Sequence, residues 1–401
     1  MAGIVIIGAG QAAGQAAASL RQEKYDGDIT IVGDEPFIPY QRPPLSKQYL
    51  AGEHGTEKVF LRPERFYGDK DITLRASTRA TAMDARAHTV TLENGETLEY
   101  EKLLLATGSR PREIPVPGAD LDGVHYFRTI ADVDAIRDGM ATAKSVVIVG
   151  GGYIGLEVAS VCIEAGLAVT VLEMEDRILQ RVTTPRMSEY YHNLHTGHGV
   201  NIRTNTAASA FIGELGKVKG VQCGDDVIVA DLVVVGIGIS PNVELAEAAG
   251  LDCDNGIMVD GHCRTSDPDV YAAGDCTNHP NPILDRRLRL ESVPNAMDQA
   301  RVAAANMLGG DREYSAVPWF WSDQYELKLQ MVGFSSDGDE EVVRGDIAND
   351  SFAIFYLKDK KIVAVDTVNS MREFMLCKKM IGSEVDTTRL ADPEVNLKDL
   401  T

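Results

Sequence analysis

One structural unit occurs twice in this chain. "IVIIGAGQAAGQAAASL", Ile4 to Leu20, and "VVIVGGGYIGLEVASVC", Val146 to Cys162, each read as a short apolar strand, a GxGxx(G/A) turn and a helix of small residues. Gly8 and Gly150 open the two turns, 142 residues apart. Each copy is followed by a second strand ending in acid, "DITIVGDE" and "AVTVLEME". A third strand follows later, "KLLLATG" and "DLVVVGIG". A solenoid would repeat every 20–50 residues or so, whereas this spacing means two related domains. A lone GxGxxG says little, but two of them in the context strand, loop, helix and late acid specify dinucleotide-binding folds.

The chemistry follows from the residue types. Gly8 and Gly10, and Gly150, Gly152 and Gly155, permit a tight turn and let backbone approach a pyrophosphate. Ala13 stands at the third position of the first copy. The helix N-terminus behind each turn offers free N–H groups and a positive dipole end. Glu35 lies 27 residues after Gly8 and Glu173 lies 23 after Gly150, spaced to accept from ribose hydroxyls. A carboxylate there repels a 2′-phosphate, so Glu173 favours NADH over NADPH, with Arg177 and Arg181 nearby leaving NADPH use open.

The first copy is assigned to FAD by a later segment, "VYAAGDC". Its strand ends in Gly-Asp, placing Asp275 where it can accept from the ribityl chain. Downstream, "ESVPNAMDQARVAAANML" opens a helix, with Ser292 as cap and Pro294 in the first turn. The positive end of that helix would face the flavin pyrimidine. The FAD domain is therefore expected to be discontinuous, residues 1–112 and 242–319, with the NADH domain inserted at 113–241. Pro- and Gly-rich "GSRPREIPVPGAD" and the segment "GISPN" mark the two crossings. "TVTLENGETLEY" reads as a hairpin with an Asn-Gly turn. From about Trp319 the pattern changes to short strands, "KLQMVGF", "SFAIFYL" and "KIVAVDTV", then an amphipathic helix near "SMREFMLCKKMI". This reads as a C-terminal α+β domain, 320–401. The expected fold class is α/β, two Rossmann-like domains plus that α+β domain.

Composition narrows the function classes. The 401 residues are 44% hydrophobic and 25% charged, ordinary for a soluble globular protein. No apolar run approaches the roughly 18 residues of a membrane span. The opening "MAGIVIIGAG" lacks a basic leader and cleavage pattern and reads as a first strand, not a signal peptide. A net charge of −21 argues against nucleic acid and anionic membranes. The six cysteines, at 162, 223, 253, 263, 276 and 377, form no CxxC or CxxxxC pair and fit reduced thiols in a cytoplasm. His192, His195 and His198 share a spacing of three, but no acid or cysteine completes a metal set and Gly197 and Gly199 end the helix. No metal is expected.

Two GxGxx(G/A) loops, "ATG" and "GD" in this order resemble the glutathione-reductase-fold FAD/NAD(P)H oxidoreductases. "RPPLSK", "GGGYIGLE", "ESVPNA" and "FWSDQYE" together resemble, within that group, the putidaredoxin reductase-like ferredoxin reductases, single-component FAD/NADH enzymes of bacterial oxygenase systems. The resemblance covers nearly the whole chain and weakens over the last 30 residues or so. It implies an NADH:ferredoxin oxidoreductase in which hydride passes to FAD and single electrons leave to a 2Fe–2S ferredoxin serving a cytochrome P450 or other oxygenase. Disulfide reductases of this fold pass electrons to a cysteine pair at a place held here by Pro43 and Pro44, so the electrons must leave directly.

The resemblance also implies residue roles. Lys47 would lie at the isoalloxazine, paired with Glu157, and Trp321 near the nicotinamide and flavin edge. Ala12, Arg42, Ala80, Ala106, Arg128 and Val293 would join the FAD contacts. Tyr153, Ile154 and Gly236 would line the NADH site. Arg62 and Arg301 match docking arginines for the acidic ferredoxin, which needs a local basic patch on so acidic a protein. Arg286, Arg287 and Arg289 are a second cluster suggested by charge alone. An NADH oxidase or peroxidase, or a non-catalytic NADH-sensing flavoprotein, are the alternative readings. Both a monomer and a homodimer fit the sequence.

Overall fold

The computed structural model describes residues 2–400. The chain divides into two compact units. The first contains the chain up to Arg42, Thr56–Arg110 and Ile239–Pro318; the second contains Pro43–Gly55, Pro111–Gly238 and the chain from Trp319.

The first unit is built on one mixed sheet. Strands Gly3–Ile7, Ile29–Val32 and Ile72–Arg75 pair in parallel, and Thr97–Leu105 lies on the other side of Gly3–Ile7. Val270–Ala272 then adds in parallel to Leu103–Leu105, although it comes from far along the chain. The apolar run Leu103–Leu105 is wholly buried, as a strand covered on both faces requires. Helix Gln11–Gln22 and helix Val293–Met307 share one core cluster, in which Ala12, Ala13, Ala16 and Ala17 accompany Ala296, Ala300, Ala303 and Ala304. Alanines let the backbones of two helices approach closely. The "TVTLENGETLEY" hairpin is present, pairing Thr89–Leu92 with the start of Thr97–Leu105. Its connection is longer than the two-residue Asn-Gly turn that the sequence suggests. Gly95 alone carries a positive φ, +84°, and the Glu96 carbonyl accepts from Leu92 N. A two-residue type I′ turn requires a positive φ at both central residues.

In the second unit the nucleotide fold recurs. Its parallel sheet runs Asn201–Arg203, Ala168–Leu172, Ser145–Val149, Leu232–Val235, Val124–Tyr126. This is the strand order of the first unit's parallel part, with the strand before the glycine turn in the middle of both. A three-stranded antiparallel sheet, Ala210–Glu214, Lys217–Cys223 and Asp226–Val229, is appended. The C-terminal portion is a five-stranded antiparallel sheet in the order Trp319–Gln324, Leu327–Gly333, Lys361–Val368, Ser351–Lys358, Glu340–Asp346. Two of these strands, Trp319–Gln324 and Glu340–Asp346, carry aromatic or charged residues where an apolar alternation would have announced them. Helix Met371–Met380 buries Phe374, Cys377 and Met380. No helix among the described residues is long and apolar enough to cross a membrane.

Candidate functional site

The two glycine turns are alike in their constraints. Gly8 has φ +106° and Gly150 has φ +114°, the region that favours glycine. A Cβ on Gly8 would lie 2.1 Å from the Ala106 carbonyl, and one on Gly150 would lie 2.4 Å from the Gly236 carbonyl. The second glycines differ. A Cβ on Gly10 or Gly152 would meet nothing within 4 Å. Each is the N-cap of its helix, Gln11–Gln22 or Tyr153–Glu164, with no side chain satisfying the first N–H groups. Open room in front of uncapped donors fits a pyrophosphate at both turns. The helix Val293–Met307 contrasts with them: the Ser292 hydroxyl caps it, accepting from Asn295 N at 3.3 Å.

Around the first turn, Glu35 accepts from Tyr40 Oη at 2.6 Å and from Arg42 Nη2 at 3.1 Å. Both partners leave lone pairs on the carboxylate for a ribose. Ser77 N and Thr78 N donate to the Glu35 and Gly33 carbonyls, which brings the segment leading to Ala80 against the Glu35 loop. Asp275 accepts from Ser109 Oγ at 3.0 Å. Gly274 N and Thr277 Oγ1 both donate to Gln299 Oε1, at 2.8 and 2.9 Å. Gln299 Nε2 is buried with no partner. Sequence reasoning missed Gln299; its position in the helix after Ser292 was the available signal. An open buried donor beside the Gly-Asp turn fits a bound flavin nucleotide. Val293 is the first residue of that helix, and Ala12 and Ala13 are buried in the helix behind the first turn.

At the second turn, Glu173 Oε2 accepts from Gly151 N at 2.8 Å and Oε1 from Glu175 N at 2.9 Å. The acid thus fixes the glycine turn itself. Arg177 donates to the Thr183 and Gln180 carbonyls and to Ser188 Oγ. Its guanidinium is engaged by its own loop, an arrangement that does not favour a 2′-phosphate. Tyr153 Oη donates to Met331 Sδ at 2.7 Å, its ring is 5.2 Å from that of Phe320, and burial raises the phenol well above its usual range. Ile154 is 40% exposed at the start of the helix, where Gly155 is buried. Gly236 N donates to the Val149 carbonyl, and Arg128 N to Asp132 Oδ2.

Lys47 and Glu157 meet. Lys47 Nζ donates to Glu157 Oε2 at 2.7 Å, and the carboxylate is 2% exposed. Ser46 Oγ donates to the same oxygen at 2.5 Å and Ser322 Oγ to Oε1 at 2.6 Å. Pro43–Ser46 forms a 3₁₀ turn that presents Ser46 and Lys47 together. The two serines were not singled out from sequence, although Ser46 adjoins Lys47. Trp321 lies one residue before Ser322, its ring 5.6 Å from Trp319, whose face carries Lys378 Nζ at 4.3 Å.

All six cysteines are free. Burial pushes each thiol upward, Cys162 and Cys377 to about 12 and Cys253 to about 11. Cys223, Cys263 and Cys276 are raised for the same reason. Such thiols supply little thiolate for exchange. The histidines are separated in role: His195 is buried and hydrogen-bonded to Gln324, while exposed His198 stacks on Tyr325. Among the described residues no three His, Cys, Asp or Glu converge as metal ligands.

The arginines expected to serve docking differ in availability. Arg62 stacks over Phe66, and Arg301 pairs with Asp298 at 2.5 Å while 49% exposed. Arg287 donates to the Val259 and Asn278 carbonyls, and Arg289 pairs with Glu291. Two of the three arginines in that cluster therefore serve their own unit.

Comparison with known proteins agrees with this geometry. Residues 2–300 match the family described as pyridine nucleotide-disulphide oxidoreductase, and residues 319–401 match the reductase C-terminal family. Rhodocoxin reductase of Rhodococcus erythropolis is 46% identical, over 98% of this chain and 93% of its own. Putidaredoxin reductase of Pseudomonas putida is 44% identical, over 99% and 96%. The reductase in the crystal structure of a covalent putidaredoxin reductase–putidaredoxin complex superposes with a TM-score of 0.95, at 43% identity, over 99% of this chain and 97% of that one. A ferredoxin reductase from Rhodopseudomonas palustris gives the same TM-score at 40% identity, over 100% and 99%. With two nucleotide turns in one chain, and with this family model and these relatives matching along its length, the chain belongs to the pyridine nucleotide-disulphide oxidoreductase family, among its putidaredoxin reductase-like members.

Proposed function

We propose that this protein is an NADH-dependent ferredoxin reductase supplying a 2Fe–2S ferredoxin of a cytochrome P450 or other oxygenase. The observation that carries this reading is the pair of uncapped glycine turns in a chain whose six thiols are all pushed away from thiolate. When bound, FAD accepts hydride from NADH and releases electrons singly, which suits a one-electron acceptor. The names of the relatives, rhodocoxin reductase and putidaredoxin reductase, support the same partner class.

The residues divide the work. Gly8, Gly10, Glu35, Arg42, Asp275 and Gln299 hold FAD, with Ala12, Ala13, Ala80, Ala106, Arg128 and Val293 shaping its site. Gly150, Gly152, Tyr153, Ile154, Gly155, Glu173 and Gly236 hold NADH. Lys47, paired with the Glu157 carboxylate, favours the negative charge that arrives with hydride. Trp321 shields the reacting rings from water. Arg62 and Arg301 give the ferredoxin a local positive field. The domain limits 1–112 with 242–319, 113–241 and 320–401 belong to the same proposal, as does a cytoplasmic setting, which suits six unpaired thiols.

The deciding experiment is NADH-driven reduction of cytochrome c with and without an added oxygenase-type 2Fe–2S ferredoxin. Strong, saturable dependence on the ferredoxin is expected. Turnover of oxygen or peroxide at the same rate without ferredoxin would overturn the reading. In the same assay NADPH is expected to be the poorer donor, because the Glu173 carboxylate assigned to the ribose would repel a 2′-phosphate and Arg177 is held by the Thr183 carbonyl and Ser188 Oγ.

A further inference from the structure

A chain of hydrogen bonds runs from Glu157 away from Lys47, and its direction is set link by link. Glu157, an acceptor as a carboxylate, lies 2.6 Å from Ser322 Oγ, so the Ser322 hydroxyl must donate to it. That hydroxyl is then free to accept, and Gln324 Nε2 donates to it at 3.1 Å. Gln324 Oε1 therefore faces His195 Nε2, at 2.8 Å, and this nitrogen must carry the proton. His195 Nδ1 is left as an acceptor, and Tyr325 Oη donates to it at 3.0 Å. Ser322, Gln324 and His195 are each 0% exposed, so water does not compete for the links among them. Burial, opposed in part by the Gln324 bond and reinforced by His198 and His192, lowers His195 to about 4 and keeps the ring neutral.

We propose that His195 is a positioning residue for the Lys47–Glu157 pair, acting through Gln324 and Ser322. Its Nε2–H fixes the orientation of the Gln324 amide. The amide in turn leaves Ser322 one way to point its proton, at Glu157 Oε1. Without the imidazole donor the amide can turn over, Ser322 can donate to the amide oxygen, and Glu157 Oε1 loses its partner. Glu157 would then be held by Lys47 and Ser46 alone, and a carboxylate free to turn would no longer hold the Lys47 ammonium in one place. An amide does not relay protons readily, so the chain orients and polarises rather than conducts. The consequence at the flavin rests on the reading that Lys47 acts there.

Two substitutions separate this role from simple core packing. His195→Leu removes the donor, whereas His195→Gln keeps an N–H at about the reach of Nε2. In the FAD-loaded protein, His195→Leu is expected to slow flavin reduction at saturating NADH by roughly tenfold. It should also shift the flavin midpoint potential negative. His195→Gln should restore most of the rate and the potential. A His195→Leu protein with wild-type potential, while Lys47→Met shifts the potential, would overturn the proposal and leave the Lys47 reading intact.

Should Lys47→Met also leave the potential unchanged, the Lys47 reading falls, and the positioning claim is decided without the flavin. Nitrogen-15 NMR of labelled histidine then reports the His195 tautomer. A single Nε2–H form in the wild type, giving way to a mixture in Ser322→Ala, supports the directed chain. An Nδ1–H form, or no change in Ser322→Ala, overturns it.

Discussion

Lys47 Nζ and Glu157 Oε2 lie 2.7 Å apart with their side chains 11% and 2% exposed, so each is the other's principal compensating charge. Removing one partner strands the other in a low-dielectric site. Glu157→Ala is therefore expected to destabilise the folded protein by about 3 kcal/mol, more than Lys47→Met, whose loss leaves Ser46 and Ser322 still donating to the carboxylate. Denaturant unfolding of the two variants beside the wild type checks the order. Equal stability of all three would contradict it.

The glycine turns allow a sharper contrast. Gly8→Ala sets a Cβ 2.1 Å from the Ala106 carbonyl at a φ of +106°, so the first unit is expected to misfold or lose most of its stability. Gly10→Ala meets nothing within 4 Å, so the protein without cofactor should fold nearly as the wild type does, within about 1 kcal/mol. The methyl group nevertheless occupies room in front of the helix. Flavin content after purification should drop sharply in Gly10→Ala while apoprotein melting stays close to wild type. Full flavin content would remove that turn from the FAD site.

Asp366 is buried and accepts from Thr183 Oγ1 at 2.7 Å and Tyr356 Oη at 2.9 Å. Burial, only partly offset by those donors, raises its carboxyl to about 6 from a usual 3.8. A raised acid binds a proton in the folded state between these two values while the unfolded chain has released it. Stability contributed by Asp366 therefore falls as pH rises through that window and stays low above it, by about 3 kcal/mol at most. Asp366→Asn keeps an oxygen for both donors and removes the titration. Its stability relative to wild type should rise between pH 4 and pH 6, read by denaturant midpoints at fixed salt. A pH-independent difference would show that Asp366 does not titrate there.

Arg301 carries its charge into solvent with Asp298 attached at 2.5 Å. If the pair faces an acidic ferredoxin, Asp298 offsets part of the attraction. Asp298→Asn should lower the ferredoxin KM at low ionic strength and Arg301→Ala should raise it, with both effects fading by roughly 0.15 M salt. An unchanged KM in both variants would move docking away from this helix.

The glycine turns, their strands and the late acids were legible because each is a local constraint. A positive φ, an alternating or continuous apolar run and a cap each fall within a few residues. The aromatic and charged strands Trp319–Gln324 and Glu340–Asp346 were not, because their pairing partners, rather than their own composition, hold them in the sheet. The spacing of His192, His195 and His198 did not reveal what each ring meets: His195 points to Gln324 and Tyr325, and His198 lies against the Tyr325 ring.

By itself the sequence determined that two dinucleotide folds recur in one chain and that no CxxC or CxxxxC pair accompanies them. The Lys47–Glu157 pair was expected from the family resemblance, but the tertiary structure alone decided that Ser46 and Ser322 complete the surroundings of Glu157. Its three donors come from Ser46, Lys47 and Ser322, separated from it by 111, 110 and 165 residues. No local pattern encodes such a meeting. A carboxylate carries its charge into a dry interior only where distant segments converge to supply its hydrogen bonds, and that convergence is a property of the packed chain.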